Sequence, residues 1–168
     1  MERVDPRDRF PDLIETREEG SVDPETFDSL GDVEPFSTGW AVAAVILDSV
    51  ERVLLAYHRG DESWLLPGGS VQPDESLREA VVREVSEETG VHVEPMRPHA
   101  IVENVVENDG RTHSFAVVFF SADPTSTAIG TDLGAPGEPI ERADWFDELP
   151  EDVYDRALTK RVLERVRS

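Results

Sequence analysis

Residues 64–91 read WLLPGGSVQPDESLREAVVREVSEETGV, and this stretch decides the fold. It opens with a short apolar run, Trp64–Leu66, which predicts a strand. Pro67–Gly69 follows at once, where a proline and two glycines end strand pairing and permit a tight loop. The remainder has the spacing of a helix. The stretch therefore predicts a strand, a glycine loop and a helix in close succession.

The predicted helix carries signals at both ends. Ser76 and Glu79 form a capping box, in which each side chain satisfies a backbone amide of the first turn. Gly90 is the residue type that commonly ends a helix. Between these ends, apolar residues recur at i, i+3, i+4 and i+8 on one face: Leu77, Ala80, Val81 and Val85. We therefore expect the polar face to point outward, towards the glycine loop and a cleft.

Three glutamates on that polar face indicate a cation site. Glu84, Glu87 and Glu88 lie at i, i+3 and i+4, so their side chains share one face. Like charges at this spacing destabilise a bare helix by about 0.2–0.5 kcal/mol per pair, and a divalent cation would offset that repulsion. Arg83 is placed to orient Glu87, and a glycine carbonyl of the loop is a further candidate ligand. A merely solvated acidic face is the alternative, and it explains the full set less well.

The same segment resembles the signature of a known family. Its pattern, Gly69-x5-Glu75-x7-Arg83-Glu84-Val85-x-Glu87-Glu88-x-Gly90-Val91, is similar to the Nudix box at every defined position. The resemblance covers about residues 38–165 and includes the closing strand at Asp144–Phe146. It implies a Mg²⁺-dependent hydrolase, with Mn²⁺ as an alternative ion, that cleaves a pyrophosphate linkage in a nucleoside diphosphate derivative. It also implies the α/β Nudix fold, an α/β/α sandwich with a mixed β-sheet.

The resemblance also implies roles for individual residues. Glu84, Glu87 and Glu88 would hold the metal together with the Gly68 carbonyl, and Glu87 or Glu88 would act as the base or orient water. Arg83 resembles the family arginine that pairs with a box glutamate, which completes the predicted catalytic set. Many members add one carboxylate ligand from outside the box. The candidates, in order of rank, are Glu138 and Glu141, followed by Glu107 and Asp109.

The substrate is less well defined than the reaction. Because the chain's negative charge opposes an anionic substrate, we expect nearby cations to bind it, with His58 and Arg59 as candidates and Trp64 as a stacking residue. In the family that this chain resembles, a proline about fifteen residues beyond the box indicates ADP-ribose as the substrate, and a tyrosine near that position indicates dinucleoside polyphosphates. Residues 105–108, which occupy this region here, contain neither. Two substrate classes therefore remain as alternatives. One is a modified nucleoside triphosphate such as 8-oxo-dGTP, and the other is ADP-ribose or a nucleotide sugar. The alternative function is a non-catalytic nucleotide-binding sensor or regulatory module, which an intact box disfavours.

Strands flank the helix on both sides. The continuous apolar run Trp40–Asp48 predicts a strand buried on both faces. Residues 122–139 are rich in Gly, Pro, Ser and Thr and predict a long loop. The other predicted strands are Val53–His58, Val91–Val93, Ile101–Val106, His113–Ser121 and Ile140–Phe146, and the last predicted helix is Glu151–Val166. This order predicts a mixed sheet between helices, an α/β/α layering.

The first 36 residues differ from the rest. They contain twelve acids, four arginines and four prolines, and their apolar residues show no sustained period. We interpret residues 1–36 as an acidic N-terminal extension with one short helix near Asp12–Glu19, ahead of a Nudix domain at residues 37–168. A disordered arm and an ordered flap are equally favoured interpretations of the extension.

Composition narrows the setting. The chain has no cysteine, which excludes disulfides and thiolate metal sites and favours a hard cation. Its 37 acidic and 16 basic residues, with Lys160 as the only lysine, give a net charge of −21. This charge disfavours nucleic-acid polymers and anionic membranes and suits a halophilic cytoplasm, although a merely acidic protein is the alternative. With no signal-like start or apolar run near ~20 residues, we expect a cytoplasmic protein with a small nucleotide as its partner, and a homodimer stays open.

Overall fold

The computed structural model describes residues 3–168, and two β-sheets form its centre. The larger sheet contains β1 (Ile14–Ser21), β2 (Trp40–Ile46), β5 (Gly68–Ser70), β6 (Val93–Asn108) and β7 (Arg111–Pro124). Its strand order is β1-β6-β7-β2-β5, with parallel pairing in β1–β6 and β2–β7 and antiparallel pairing in the others. The smaller sheet is antiparallel, in the order β4 (Ser63–Leu65), β3 (Val53–His58) and β8 (Ile140–Phe146). The predicted mixed sheet is confirmed.

Three α-helices accompany the sheets: α1 (Pro24–Leu30), α2 (Leu77–Thr89) and α3 (Arg156–Arg167). The predicted capping box of α2 is present in both directions, and Gly90 ends the helix in the left-handed region with φ 78°. No helix among residues 3–168 has both the length and the apolar character that a bilayer crossing requires. The central helix is thus confirmed.

The helices α2 and α3 pack on opposite faces of the larger sheet. Side chains of a strand point alternately to its two faces. In β2, Val42 and Ala44 belong to the core cluster that contains α2, whereas Ala43 and Val45 belong to the cluster that contains α3. All four are buried, as predicted for a strand covered on both faces. The α/β/α layering is confirmed.

The predicted helix near Asp12–Glu19 is wrong. Residues 14–21 form β1, whose pairing with β6 runs from Ile14 opposite Ala100 to Ser21 opposite Glu107. The main-chain hydrogen bonds of β6 outweigh the weak local preference of an acidic segment. After β1, the short helix α1 buries Phe27, whose ring stacks on His113 at 4.0 Å. The extension is therefore an ordered part of the structure from residue 3 onward.

Smaller differences have local causes. The glycine loop is itself a strand, because Gly68–Ser70 pairs with β2 as β5. The two predicted strands at Val91–Val93 and Ile101–Val106 are one strand, β6, with register shifts beside Pro95 and Pro98. Proline lacks the amide that a ladder needs, so the shifts keep the strand continuous across both positions. The last helix begins at Arg156, five residues later than predicted.

Candidate metal and substrate site

The glycine loop is held against both β2 and α2. A Cβ at Gly68 would lie 2.1 Å from the carbonyl oxygen of Val42, and one at Gly69 would lie 2.6 Å from Oε1 of Glu84. Any side chain at either position would therefore collide with its neighbour. At Gly68 this neighbour is main chain, whereas at Gly69 it is the end of the Glu84 side chain, so the loop passes directly beside the acidic face of the helix.

Three carboxylates meet beside this loop. Glu84, Glu87 and Glu138 each place one carboxylate oxygen within 4.8 Å of the others. They line a cavity of about 400 Å³, here called the acidic cavity, together with Gly68, Gly69 and five further residues. These five are Ser70, Gln72, Arg83, Ala135 and, from the N-terminal extension, Glu34. Like charges at this separation repel one another, and a bound cation would reduce that repulsion.

The long loop between β7 and β8 brings Glu138 to the cluster. The amide of Gly130 donates to the carbonyl of Thr89 at 2.9 Å, and the amide of Gly134 donates to the carbonyl of Glu87. These bonds use orphan carbonyls at the C-terminal end of α2. The loop is thus fixed to the helix that carries the other two glutamates.

Arg83 organises the carboxylates. Its guanidinium donates to Glu75 at 2.7 and 2.9 Å, to Glu84 at 2.9 Å and to Glu87 at 3.3 Å. The hydrogen bonds to Glu75, with further support from Glu84, raise the pKa of Arg83 above its ordinary value. Burial alone would raise the pKa of Glu75, but the bonds from Arg83 outweigh it and lower the pKa. Arg83 thus remains charged and holds three acids in place.

Two box glutamates are strongly buried. Burial raises the pKa of Glu84 to about 7, although Arg83 opposes the shift. Burial raises the pKa of Glu88 to about 9, although its carboxylate accepts a 2.7 Å bond from the Gly68 amide. A divalent cation would favour the charged forms of such groups. The clustered oxygens and the close glycine loop therefore fit a hard metal ion.

A second cavity lies on the other side of the glycine loop. It measures about 290 Å³, shares Gly68 and Gly69 with the acidic cavity, and is here called the apolar cavity. Residues of β2, β6 and β7 line it, including Phe115, Phe119 and Asn104, and Leu158 of α3 closes it. A pocket with apolar walls and few polar groups is the usual form of a small-molecule site. The two cavities together offer an acidic end and an apolar end.

Comparison with known proteins identifies the family. Residues 37–162 match the family model described as the NUDIX domain. The chain belongs to the Nudix family. The box resemblance predicted this family, and the match confirms it across most of the chain.

Relatives of this Nudix protein include enzymes that are named for different substrates. It is 34% identical over 110 residues to the human 8-oxo-dGDP phosphatase NUDT18, covering 64% of this chain and 32% of the human one. It is 31% identical over 115 residues to an ADP-ribose pyrophosphatase of Methanocaldococcus jannaschii, covering 66% of this chain and 64% of that one. The chain thus spans about a third of the human relative and just under two thirds of the archaeal one.

A solved structure agrees with the fold. The MutT NUDIX hydrolase of Burkholderia pseudomallei superposes with a TM-score of 0.59 at 27% identity, covering 76% of this chain and 96% of that one. The N-terminal strand β1 lies ahead of the residues matched by the family model. The Nudix core is therefore shared, and the extension is packed onto it.

Several predicted site residues of this Nudix protein lie elsewhere. Trp64 is 7% exposed and packs edge-on against Tyr57 and Phe146 in the core. His58 accepts a hydrogen bond from the amide of Asp61, and Arg59 is exposed. None of the three predicted substrate residues lines either cavity. Their role in substrate binding remains a prediction, because the structure places none of them in the wall of either cavity.

The structure distinguishes among the candidate carboxylate ligands outside the Nudix box. Glu138 lies in the cluster, whereas Glu141 is exposed on β8. Glu107 and Asp109 are exposed near the turn between β6 and β7. Glu88 lies behind the cluster, at the Gly68 amide. Among the predicted ligands, the structure thus groups Glu84 and Glu87 with Glu138.

Sequence reasoning missed other residues of the two cavities. Glu34 lines the acidic cavity, and Glu18 and Phe115 line the apolar one. Neither acid carries a local signal in so acidic a segment. Asn104 had one, because it is a polar residue inside the predicted apolar strand at 101–106.

Proposed function

We propose that this Nudix protein hydrolyses a pyrophosphate linkage in a nucleoside diphosphate derivative. The single observation that carries the proposal is the meeting of the acidic and apolar cavities at Gly68 and Gly69. A substrate of this class has an anionic diphosphate joined to an uncharged nucleoside, which matches the two ends. The names of the human and archaeal relatives, an 8-oxo-dGDP phosphatase and an ADP-ribose pyrophosphatase, support the same class.

We infer that Mg²⁺ is the ion, with Mn²⁺ as its substitute. The cluster of Glu84, Glu87 and Glu138 offers oxygen ligands alone, and no histidine lines the acidic cavity. Hard oxygen ligands that leave room for water suit Mg²⁺. When bound, the ion supplies neutralisation of the diphosphate charge and activation of an attacking water.

Glu87 is the better placed of the two candidate bases. It is partly exposed in the acidic cavity, and Arg83 contacts one of its carboxylate oxygens at 3.3 Å. Its other oxygen is left to hold a water and accept its proton. Glu88 instead is buried and accepts the Gly68 amide, so we assign it to positioning the glycine loop. The hydrogen bonds between Arg83 and Glu75 fix the turn before α2 against the acidic face of the helix.

The apolar cavity is the proposed nucleoside site. Its rings, Phe115 and Phe119, offer flat apolar surface to a base, and Asn104 offers a polar group at the same wall. Its volume of about 290 Å³ is close to the lower end of ligand pockets. Both candidate substrate classes contain a base that this cavity could bind: a modified nucleoside triphosphate such as 8-oxo-dGTP, and ADP-ribose or a nucleotide sugar.

The test is hydrolysis of a substrate panel with and without Mg²⁺. We expect metal-dependent release of phosphate or a nucleoside monophosphate from at least one of 8-oxo-dGTP, 8-oxo-dGDP, ADP-ribose and UDP-glucose. Glu87→Gln should lower turnover by about 10²–10⁴-fold. The matched control is Glu164→Gln, which removes the same charge from an exposed position on α3. Tight binding without turnover across the panel would instead favour the nucleotide sensor.

We also propose a cytoplasm of high salt as the working environment. The support is the net charge of −21 and the single lysine. Concentrated salt screens the repulsion between the many acidic side chains of such a protein. The same charge argues against partners that are nucleic-acid polymers or anionic membranes. The midpoint of thermal unfolding should rise between 0.1 M and 2 M KCl, and equal midpoints would contradict the proposal. A homodimer is the assembly to test by mass measurement in 2 M KCl.

A further inference from the structure

A third cavity lies between the N-terminal segment and the start of α2. It measures about 370 Å³ and shares no lining residue with the acidic or the apolar cavity. Arg3, Arg9 and Arg78 line it, so we call it the arginine cavity. It packs against the α2 face of the larger sheet, where Phe120 of β7 reaches its wall.

The charge of this cavity is opposite to that of the protein. Acidic residues make up 37 of the 168 residues, yet within residues 3–168 none of them lines the arginine cavity. Three positive side chains thus line one cavity in a protein whose net charge is −21. A cluster of like charges is repulsive unless an anion joins it. The local charge therefore calls for an anionic occupant.

Two of the arginines are oriented without being neutralised. Arg3 donates from Nε to the carbonyl of Glu75 at 2.8 Å and from Nη2 to the carbonyls of Gln72 and Pro73 at 2.6 and 2.9 Å. Arg78 donates to the carbonyls of Pro95 and Met96 at 2.6 and 3.2 Å. Main-chain carbonyls fix a guanidinium but carry no net charge. Both guanidiniums thus retain N–H donors that these carbonyls do not use.

The third arginine is uncommitted. Within residues 3–168, the side chain of Arg9 makes no hydrogen bond or ion pair, and neither Arg3 nor Arg78 has a carboxylate partner within 4.0 Å. By contrast, Arg97 close by is paired with Asp12 at 2.9 Å and does not line the cavity. Within the described residues, none of the three arginines that line the cavity is ion-paired.

The rest of the wall is apolar. Phe10, Leu77 and Phe120 contribute apolar surface, and Met96 stands 50% exposed among the lining residues. At the start of α2, the capping box already satisfies the amides of Ser76 and Glu79. A ligand for this cavity therefore needs an anionic group for the arginines and an uncharged body for the apolar wall.

We propose that the arginine cavity binds a phosphomonoester with a flat apolar body, of the nucleoside monophosphate class, at a site separate from the acidic and apolar cavities. Guanidinium groups bind phosphate oxygens in paired hydrogen bonds and stack on flat rings. A volume of about 370 Å³ accommodates one such ligand and excludes a polymer. The proposal does not depend on the hydrolysis proposed above.

The test is calorimetric titration of the full chain with adenosine 5′-monophosphate in a chelating buffer, at the salt that keeps the chain folded. We expect one binding event that adenosine and inorganic phosphate each reproduce at least about tenfold more weakly. Arg9→Gln with Arg78→Gln should weaken binding at least about tenfold. The control, Arg156→Gln with Arg161→Gln, removes two positive charges from exposed positions on α3 and should bind as the wild type does.

Two further variants keep the result decisive. Asn104→Ala alters the apolar cavity alone and should leave the binding of adenosine 5′-monophosphate intact. Loss of binding in this variant would place the ligand in the proposed nucleoside site and overturn the proposal. Met96→Trp fills the arginine cavity from its exposed rim and should weaken binding with all arginines present. Wild-type affinity in both Met96→Trp and the double arginine variant would also overturn it.

Discussion

The Nε atom of Arg83 donates a 2.7 Å hydrogen bond to the carboxylate of Glu75, eight residues earlier in the chain. The same guanidinium contacts Glu84 and Glu87, so one side chain ties the turn before α2 to the acidic face of that helix. The acidic cavity therefore depends on a planar group that reaches in several directions at once.

Arg83→Lys should impair catalysis while preserving the fold. A lysine ammonium cannot reproduce the fork that bonds Glu75 twice and also reaches Glu84. We expect turnover to fall about 10–100-fold and the Mg²⁺ concentration for half-maximal activity to rise. Steady-state kinetics at varied Mg²⁺ measures both, with the exposed Arg156→Lys as control. Unchanged metal dependence would remove Arg83 from the positioning role.

Gly69→Ala should separate activity from stability. Its Cβ would lie 2.6 Å from Oε1 of Glu84, the end of a side chain that can move aside, so the fold should tolerate it. The displaced carboxylate should lower turnover more than about tenfold, with little change in the unfolding midpoint. Gly68→Ala should instead destabilise the protein, since its Cβ would lie 2.1 Å from the main-chain oxygen of Val42. Gly20→Ala, with open space around it, is the control for both measurements.

Ile14→Ala should destabilise the whole protein, although Ile14 lies ahead of the residues matched by the family model. Ile14 is 6% exposed and belongs to the core cluster that includes Val162 of α3. We expect the free energy of unfolding to fall by about 2–4 kcal/mol. Urea denaturation measures it, and Glu15→Ala, at the exposed neighbouring position, is the control. A loss confined to the N-terminal segment would show that β1 is not coupled to the core.

Asp48→Asn should lose stability in a pH-dependent way. The Asp48 carboxylate accepts bonds from the amides of Val50 and Arg52 at 3.0 and 2.8 Å and from the Arg52 guanidinium at 2.7 Å. Burial would raise its pKa, but these bonds outweigh burial and lower the pKa below the ordinary 3.8. A lowered folded-state pKa gives stability that is present above about pH 4 and is lost as pH falls through the folded value.

The corresponding measurement is urea denaturation from pH 7 down to pH 2. The wild type should exceed Asp48→Asn by about 1–3 kcal/mol at pH 7, and the difference should shrink below pH 4. Asp123→Asn, at an exposed position of β7, should show neither effect. A difference that grows towards low pH would reverse the assigned sign.

Local signals predicted the parts of the fold that local interactions determine. The capping box of α2 and the strands at Val53–His58 and Ile140–Phe146 have the predicted bounds, because caps and apolar runs act within a few residues. β1 was mistaken for a helix because its partner, β6, lies more than eighty residues away in the chain. Strand pairing at that separation leaves no trace in a short acidic segment.

The candidate site divides in the same way. Glu84 and Glu87 share a face because helical spacing places them there, which the sequence spacing alone predicts. Glu138 reaches them only because the loop before β8 is hydrogen-bonded to the end of α2 through Gly130 and Gly134. Glu18 and Glu34 enter the cavities through the packing of the extension, which no local pattern reveals.

The strand β1 also decides how the sheet ends. β6 is 16 residues long, and without β1 it would present its unpaired amides and carbonyls as a template for other chains. β1 replaces this with an eight-residue border whose side chains include Glu15, Arg17 and Glu19, all exposed. Charges along a short edge strand discourage intermolecular strand addition. The acidic segment ahead of the residues matched by the family model thus covers one edge of β6, and a chain that lacked residues 14–21 would expose that edge.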